Sequence, residues 1–171
     1  HFSLPDDDQS RAAEAGTLAR NFMGYTTKRG TDVVALGSSG ISDLADAYTQ
    51  NHRRLASYYR AVDEGELPVE RGVRLDRDDV VRRAVITEIM CNSRIDLASL
   101  GERLGFEALG YFREELAVLA APGGLEDEGM VLVEGGVVEA TELGRLFIRR
   151  VAQVFDAYTG RRAKQVFSTA V

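Results

Sequence analysis

The chain has 171 residues, is 44% hydrophobic, and carries a formal net charge of −6 with a pI near 5.0. Length and composition fit one soluble domain, or one domain with an appended piece. The acidic balance speaks against nucleic acid, since phosphate contacts need clustered Lys and Arg. One cysteine, Cys91, excludes an internal disulfide framework and fits a reducing cytoplasmic setting. No apolar run approaches the roughly 18 residues of a membrane span, and no secretory signal is visible, so no membrane partner is expected.

Residues 1–20 read as the end of a strand followed by a helix. Pro5 suits the first turn, Asp6-Asp7-Asp8 favour the positive end of the dipole, Ala12, Ala13 and Ala15 continue it, and Gly16 stops it. Residues 20–42 follow, with the aromatic turn Phe22-Met23-Gly24-Tyr25. Val33 to Leu36 is a short, β-branched run bounded by glycines and reads as a buried strand. The loop Gly37-Ser38-Ser39-Gly40 then opens a helix near Ser42. Free N–H groups there would suit a carboxylate or phosphate, or the segment is a plain strand-loop-helix corner.

Residues 42–63 read as one long helix, with Leu44, Tyr48, Leu55, Tyr58, Tyr59 and Val62 at helical spacing. Tyr25, Tyr48, Tyr58 and Tyr59 form either a π-rich wall or ordinary amphipathic packing. His52, Arg53 and Arg54 are a basic cluster or a solvated helix face. Gly65 and Pro68 mark a boundary, giving a linker over residues 64–70. A strong helix over residues 75–92 follows, capped by Asp76 and supported by the i,i+4 pairs Asp78–Arg82 and Asp79–Arg83. Its buried stripe is Val81, Val85, Ile89 and Met90, closed by Cys91 as a small buried hydrophobe.

Residues 95–104 read as a short helix capped by Asp96 and stopped by Gly105, and residues 106–121 as a third helix. Residues 125–132 and 137–140 pair as a hairpin turned at Glu134-Gly135-Gly136. Thr141 caps a closing helix over residues 142–158, with Leu143, Leu146, Phe147, Val151, Val154 and Phe155 inward. The fold class is therefore mainly α with a small β component. Three helices, a hairpin and a closing helix over residues 71–171 resemble a winged-helix module.

Three ordered blocks carry a further resemblance. The first is Arg20-Asn21-Phe22-Met23-Gly24-Tyr25-Thr26-Thr27 with Thr31-Asp32 and Gly37 to Ser42. The second is Arg71-Gly72, Leu75, Asp78-Asp79, Arg82-Arg83, Val85-Ile86 and Cys91-Asn92. The third is Gly144-Arg145-Leu146, Ile148-Arg149 and Phe155-Asp156. With these blocks the chain is similar to the oxygen-independent coproporphyrinogen III oxidases, radical S-adenosylmethionine enzymes of haem synthesis. That family holds a [4Fe–4S] cluster on Cys-x3-Cys-x2-Cys, which a chain with Cys91 alone cannot supply.

The resemblance implies the C-terminal portion of a longer enzyme. Residues 1–63 would be the edge of the catalytic barrel plus a long helix, and residues 71–171 the helical domain over the barrel mouth. The parent would bind S-adenosylmethionine and a [4Fe–4S] cluster and turn two propionates of coproporphyrinogen III into vinyl groups, giving protoporphyrinogen IX. The resemblance puts Phe22, Met23 and Ile41 at the cofactor and substrate end. The family commonly has Gln at the Met23 position. Met lacks the amide hydrogen bonds of Gln but can still pack against an adenine or porphyrin face.

The four carboxylates of the substrate call for Arg partners, for which Arg53 and Arg54 are candidates. His1, at the barrel mouth, reads as incidental to catalysis. The fragment itself is expected to hold no metal and no cofactor and to be inactive. Its missing partner would be the N-terminal barrel, and a bare strand edge could support a dimer. The alternative is a stand-alone winged-helix-like module binding DNA or protein. DNA is disfavoured by Glu107, Glu114 and Glu115 on the would-be reading helix.

Overall fold

A computed structural model describes residues 3–159. The chain forms two compact units that divide between Val81 and Arg82. Among the described residues, eight helices and eight short strands make a mixed α/β chain, with more strand than expected.

The first unit opens with α1 (Asp8–Glu14), whose N-terminal amides are capped where Asp7 Oδ1 accepts from Gln9 N at 2.8 Å. Gly16, at φ +65°, ends it. A tight hairpin follows, β1 (Ala19–Asn21) against β2 (Gly24–Thr26), turning at Phe22-Met23. Then come β3 (Ile41–Asp43), β4 (Ala47–Asn51), α2 (Leu55–Asp63) and β5 (Val69–Arg74). The three strands form an antiparallel sheet in the order β3-β4-β5.

Two expectations are corrected here. Residues 33–36 are not a buried strand. Only Val33 bridges, exchanging two backbone hydrogen bonds with Asp43, while Val34 and Leu36 are 70% and 89% exposed. The chain peels away there because the Ala35 N–H is taken by Ser42 Oγ at 3.1 Å rather than by a neighbouring strand. Nor does a helix start at Ser42. Residues 42–63 divide into strand, turn, strand and a nine-residue helix. The apolar spacing of Leu44 and Tyr48 matches a helical period, but sheet pairing on both sides of β4 decides the outcome. β5 pairs with β4, so Val69 and Glu70, the end of the 64–70 stretch, belong to this sheet.

α3 (Arg77–Asn92) starts with a reciprocal cap: Asp79 N donates to Asp76 Oδ1 at 2.9 Å, and Asp76 N donates to Asp79 Oδ2 at 3.1 Å. Val81, Val85 and Ile89 are buried as expected, whereas Met90 and Cys91 are only half-buried. The second unit continues with β6 (Arg94–Asp96), α4 (Leu97–Leu104), α5 (Ala108–Tyr111), α6 (Arg113–Ala120), β7 (Val131–Glu134), β8 (Val137–Ala140), α7 (Glu142–Leu146) and α8 (Ile148–Gln153).

Its sheet has the order β6-β8-β7. The β7–β8 turn is Gly135-Gly136, both at positive φ, as a two-residue turn matched to strand twist requires. The long helices expected over residues 106–121 and 142–158 are each broken at an aromatic residue, Phe112 and Phe147, where the backbone leaves helical angles. Phe112 turns fully inward and meets Phe155 edge-on at 5.5 Å between ring centres. Leu143, Leu146 and Phe147 are exposed rather than inward. Thr141 caps α7 as expected, accepting from Gly144 N at 3.1 Å, and Gly144 packs so closely that a Cβ there would strike the Met130 carbonyl.

Candidate functional site

The residues singled out by sequence lie in the first unit. Phe22 and Met23 form the tip of the β1–β2 hairpin, where Asn21 Oδ1 accepts from Met23 N at 2.9 Å and tightens the turn. Met23 is 88% exposed and Phe22 is 55% exposed. The Phe22 ring stands edge-on to Tyr48, with centres 5.2 Å apart. Tyr48 lies on β4 opposite Asp43, and Ile41, half-buried, opens β3 opposite Gln50. The hairpin tip thus touches the same small sheet that begins with Ile41.

The loop before Ile41 is organised by residues that the sequence did not single out. Asn51 Nδ2 donates to the carbonyls of Ala35 at 3.0 Å and Gly37 at 2.9 Å. Gly37 N donates to Tyr58 Oη at 2.9 Å, and Ser39 N donates to the His52 carbonyl at 3.0 Å. Ser39 sits at φ +58°, a left-handed conformation that a serine adopts only when its surroundings fix it. The N–H groups of Gly37, Ser39 and Gly40 are therefore used inside the fold, and no helix begins at Ser42. Of the two readings left open for this loop, the anion cradle lacks the N–H groups of Gly37, Ser39 and Gly40. A signal was present in the sequence: a polar run, Thr49-Gln50-Asn51-His52, follows a small-residue loop whose carbonyls need donors.

The basic cluster does not act as a unit. Arg53 is bound to Glu70, its N and Nε donating to Glu70 Oε2 at 3.1 and 3.3 Å. The bonded Arg53 side chain, more than any other cause, holds the Glu70 carboxyl below its ordinary range. Arg54 occupies the N-cap of α2 without a capping bond. Arg71 grips Gln50 Oε1 through Nε and Nη2 at 2.9 and 2.6 Å. Tyr58 and Tyr59 meet edge-on at 6.0 Å.

Cys91 is half-buried and, among the described residues, no group of three His, Cys, Asp or Glu could hold a metal ion. The donor set of this chain therefore does not fit a [4Fe–4S] cluster. His1 lies outside the described residues. No helix among the described residues is long and apolar enough to cross a membrane.

No family model matches the chain. Its full length aligns at 40% identity with the oxygen-independent coproporphyrinogen III oxidases of Synechocystis and of Escherichia coli, covering 37% of each. The Thermostichus vulcanus protein of the same name is 36% identical, with 52% of its length covered. The solved structure of the Escherichia coli coproporphyrinogen III oxidase, described as a radical SAM enzyme, superimposes with a TM-score of 0.85 at 40% identity, over 92% of this chain and 36% of that one. This chain is homologous to a partial region of the oxygen-independent coproporphyrinogen III oxidases. It spans a little over a third of the length of the first of these relatives. The described fold is therefore similar to that of a partial region of this solved structure.

Proposed function

We propose that the chain is the C-terminal portion of an oxygen-independent coproporphyrinogen III oxidase, a coproporphyrinogen dehydrogenase of the cytoplasm. The whole enzyme takes coproporphyrinogen III to protoporphyrinogen IX by oxidative decarboxylation of two propionates. S-Adenosylmethionine and a [4Fe–4S] cluster, held upstream of this chain, supply the hydrogen-abstracting chemistry. The observation that carries the reading is identity of 36–40% over the whole chain to curated proteins of that name.

In this reading Phe22 and Met23 present an exposed, polarisable hairpin tip to the flat face of the cofactor or substrate, and Ile41 packs beside them. The first unit supports the placement against a missing barrel. Leu55, Tyr59 and Val62 recur along one stripe of α2 and are 47–55% exposed, and every residue of β5 is exposed. An apolar stripe of that kind needs a covering surface, and the upstream barrel would provide it. The second unit reads as winged-helix-like, supported by α3, β6, α4, the α5–α6 pair and the β7–β8 hairpin in that order, with β8 central in the sheet. Nucleic acid is disfavoured in this unit. Glu107 caps α5, Glu115 pairs with Arg82, and Glu114 adds a further acid in the first turn of α6, so this segment offers phosphates little positive charge.

The test is turnover. Full-length protein with reconstituted cluster, reductant, S-adenosylmethionine, coproporphyrinogen III and an electron acceptor is expected to release one CO2 for each propionate converted and to form protoporphyrinogen IX, each substrate radical passing its remaining electron to the acceptor. Residues 1–171 alone are expected to form none. Absence of turnover and of S-adenosylmethionine binding in the full-length protein would refute the reading, and activity from residues 1–171 alone would refute the inactive-fragment part of it.

A further inference from the structure

Asn51 is 4% exposed in a unit that leaves most of its large apolar side chains in solvent. It stands where the β4–β5 register shifts between Gln50 and Asn51, an irregularity of the kind that re-aims a side chain. Its Nδ2 donates to two carbonyls of one loop, those of Ala35 and Gly37, at 3.0 and 2.9 Å. Its backbone N–H takes a third carbonyl of the same loop, that of Gly40, at 2.9 Å. Gly40 immediately precedes Ile41. The loop's far side is closed by Tyr58 Oη on Gly37 N and by Ser42 Oγ on Ala35 N. One carboxamide therefore fixes where β3 begins, and with it the position of Ile41 relative to the hairpin tip.

We propose that Asn51 is the positioning residue for the S-adenosylmethionine end of the site, setting the 35–40 loop so that Ile41 presents its side chain to the bound nucleoside. The inference rests on the assignment of Ile41 to that end. Asn is suited to the task because its amide offers two hydrogens to two carbonyls from one buried nitrogen. Aspartate has the same shape and would turn both contacts into oxygen facing oxygen. Gly40 gives an independent handle on the same loop. A Cβ there would lie 2.9 Å from Ala35 Cβ and 3.2 Å from the Gly37 carbonyl, which forces the loop outward with Asn51 intact.

The experiment uses the full-length enzyme and measures three quantities for wild type, Asn51→Asp and Gly40→Ala. They are the dissociation constant for S-adenosylmethionine, the KM for coproporphyrinogen III, and amide hydrogen exchange over residues 35–41. Both variants are expected to weaken S-adenosylmethionine binding about tenfold. Loop exchange should quicken, while the KM for coproporphyrinogen III stays within about twofold of wild type. If Asn51→Asp does not fold, Gly40→Ala carries the test. Faster loop exchange with unchanged cofactor affinity would overturn the proposal, as would equal losses toward both ligands, the mark of a merely structural residue. A wild-type enzyme that binds no S-adenosylmethionine would instead sink the underlying assignment.

Discussion

In the second unit Phe112, Leu119, Val131 and Phe155 are completely buried, whereas in the first unit Phe22, Leu55, Tyr59 and Leu67 are each more than half exposed. Among the described residues, the buried apolar side chains of the first unit are Ala12, Leu18, Ala19 and Val81, mostly small ones. The first unit is held mainly by polar contacts: the Asn51 amide, Ser42, the Arg53–Glu70 pair and the strand ladder of β3, β4 and β5. The second has an interior of interlocking rings and aliphatics with hydrogen bonds at its periphery. The contrast separates a unit that leaves its large apolar side chains exposed from one that carries its own core.

Four substitutions would break or sharpen that contrast. Phe112→Ala deletes a fully buried ring packed on Phe155 and should cost about 3–5 kcal/mol of unfolding free energy. Chemical denaturation would show it as a lower midpoint, and a loss no greater than that of a surface change would dissolve the distinction. Next comes Glu115→Gln. Arg82 Nη1 meets Glu115 Oε1 at 2.7 Å, with both side chains less than a fifth exposed. Removing the carboxylate charge from this mostly buried pair should cost about 2–3 kcal/mol, read from the same transition.

Asp96→Ala removes the N-cap of α4, whose Oδ1 accepts from Ser99 N at 3.1 Å, for about 1 kcal/mol. That bond is the leading cause of an Asp96 carboxyl below its ordinary range. A depressed folded-state value means that the contribution is complete above the unfolded value and is lost as pH falls through the folded one. Wild type should therefore approach Asp96→Ala in acid, below about pH 4, while Asp96→Asn should not show that acid loss. The smallest effect belongs to Met23→Ala, at the exposed hairpin tip. Stability should change by less than about 0.5 kcal/mol, with any consequence confined to ligand affinity in the full-length enzyme. A large loss of stability there would mean that the tip is part of a core after all.

The elements legible in the sequence are those whose signals are local. The Asp76, Asp96 and Thr141 caps, the Gly105 stop and the Gly135-Gly136 turn each depend on a few adjacent residues, and each appears in the structure. The sheet of the first unit was not legible. β4 reads Ala-Tyr-Thr-Gln-Asn and β5 is interrupted by Gly72, so neither alternates cleanly. Their identity comes from pairing partners 18–27 residues apart, which no window of sequence displays. The breaks at Phe112 and Phe147 were missed because continuous helical spacing does not record where a ring must turn. Phe22, Met23 and Ile41 stood out through a motif. Asn51 did not, because a buried asparagine within a polar run looks like any surface residue.

Arg82 also governs when the second unit can fold. Its Nη1 donates to the carbonyl of Phe155, 73 residues further along, as well as to Glu115, and its guanidinium lies over the Phe112 ring. Contacts of such long sequence separation are closed last, because the chain entropy of a long loop must be overcome before they form. During synthesis Glu115 emerges well before Phe155, so the set of contacts described for this guanidinium is complete only once Phe155 has cleared the ribosome exit tunnel. A chain cut a few residues short of Phe155 would lack both that carbonyl and the ring that packs on Phe112, so the last part of the unit to be made closes its core.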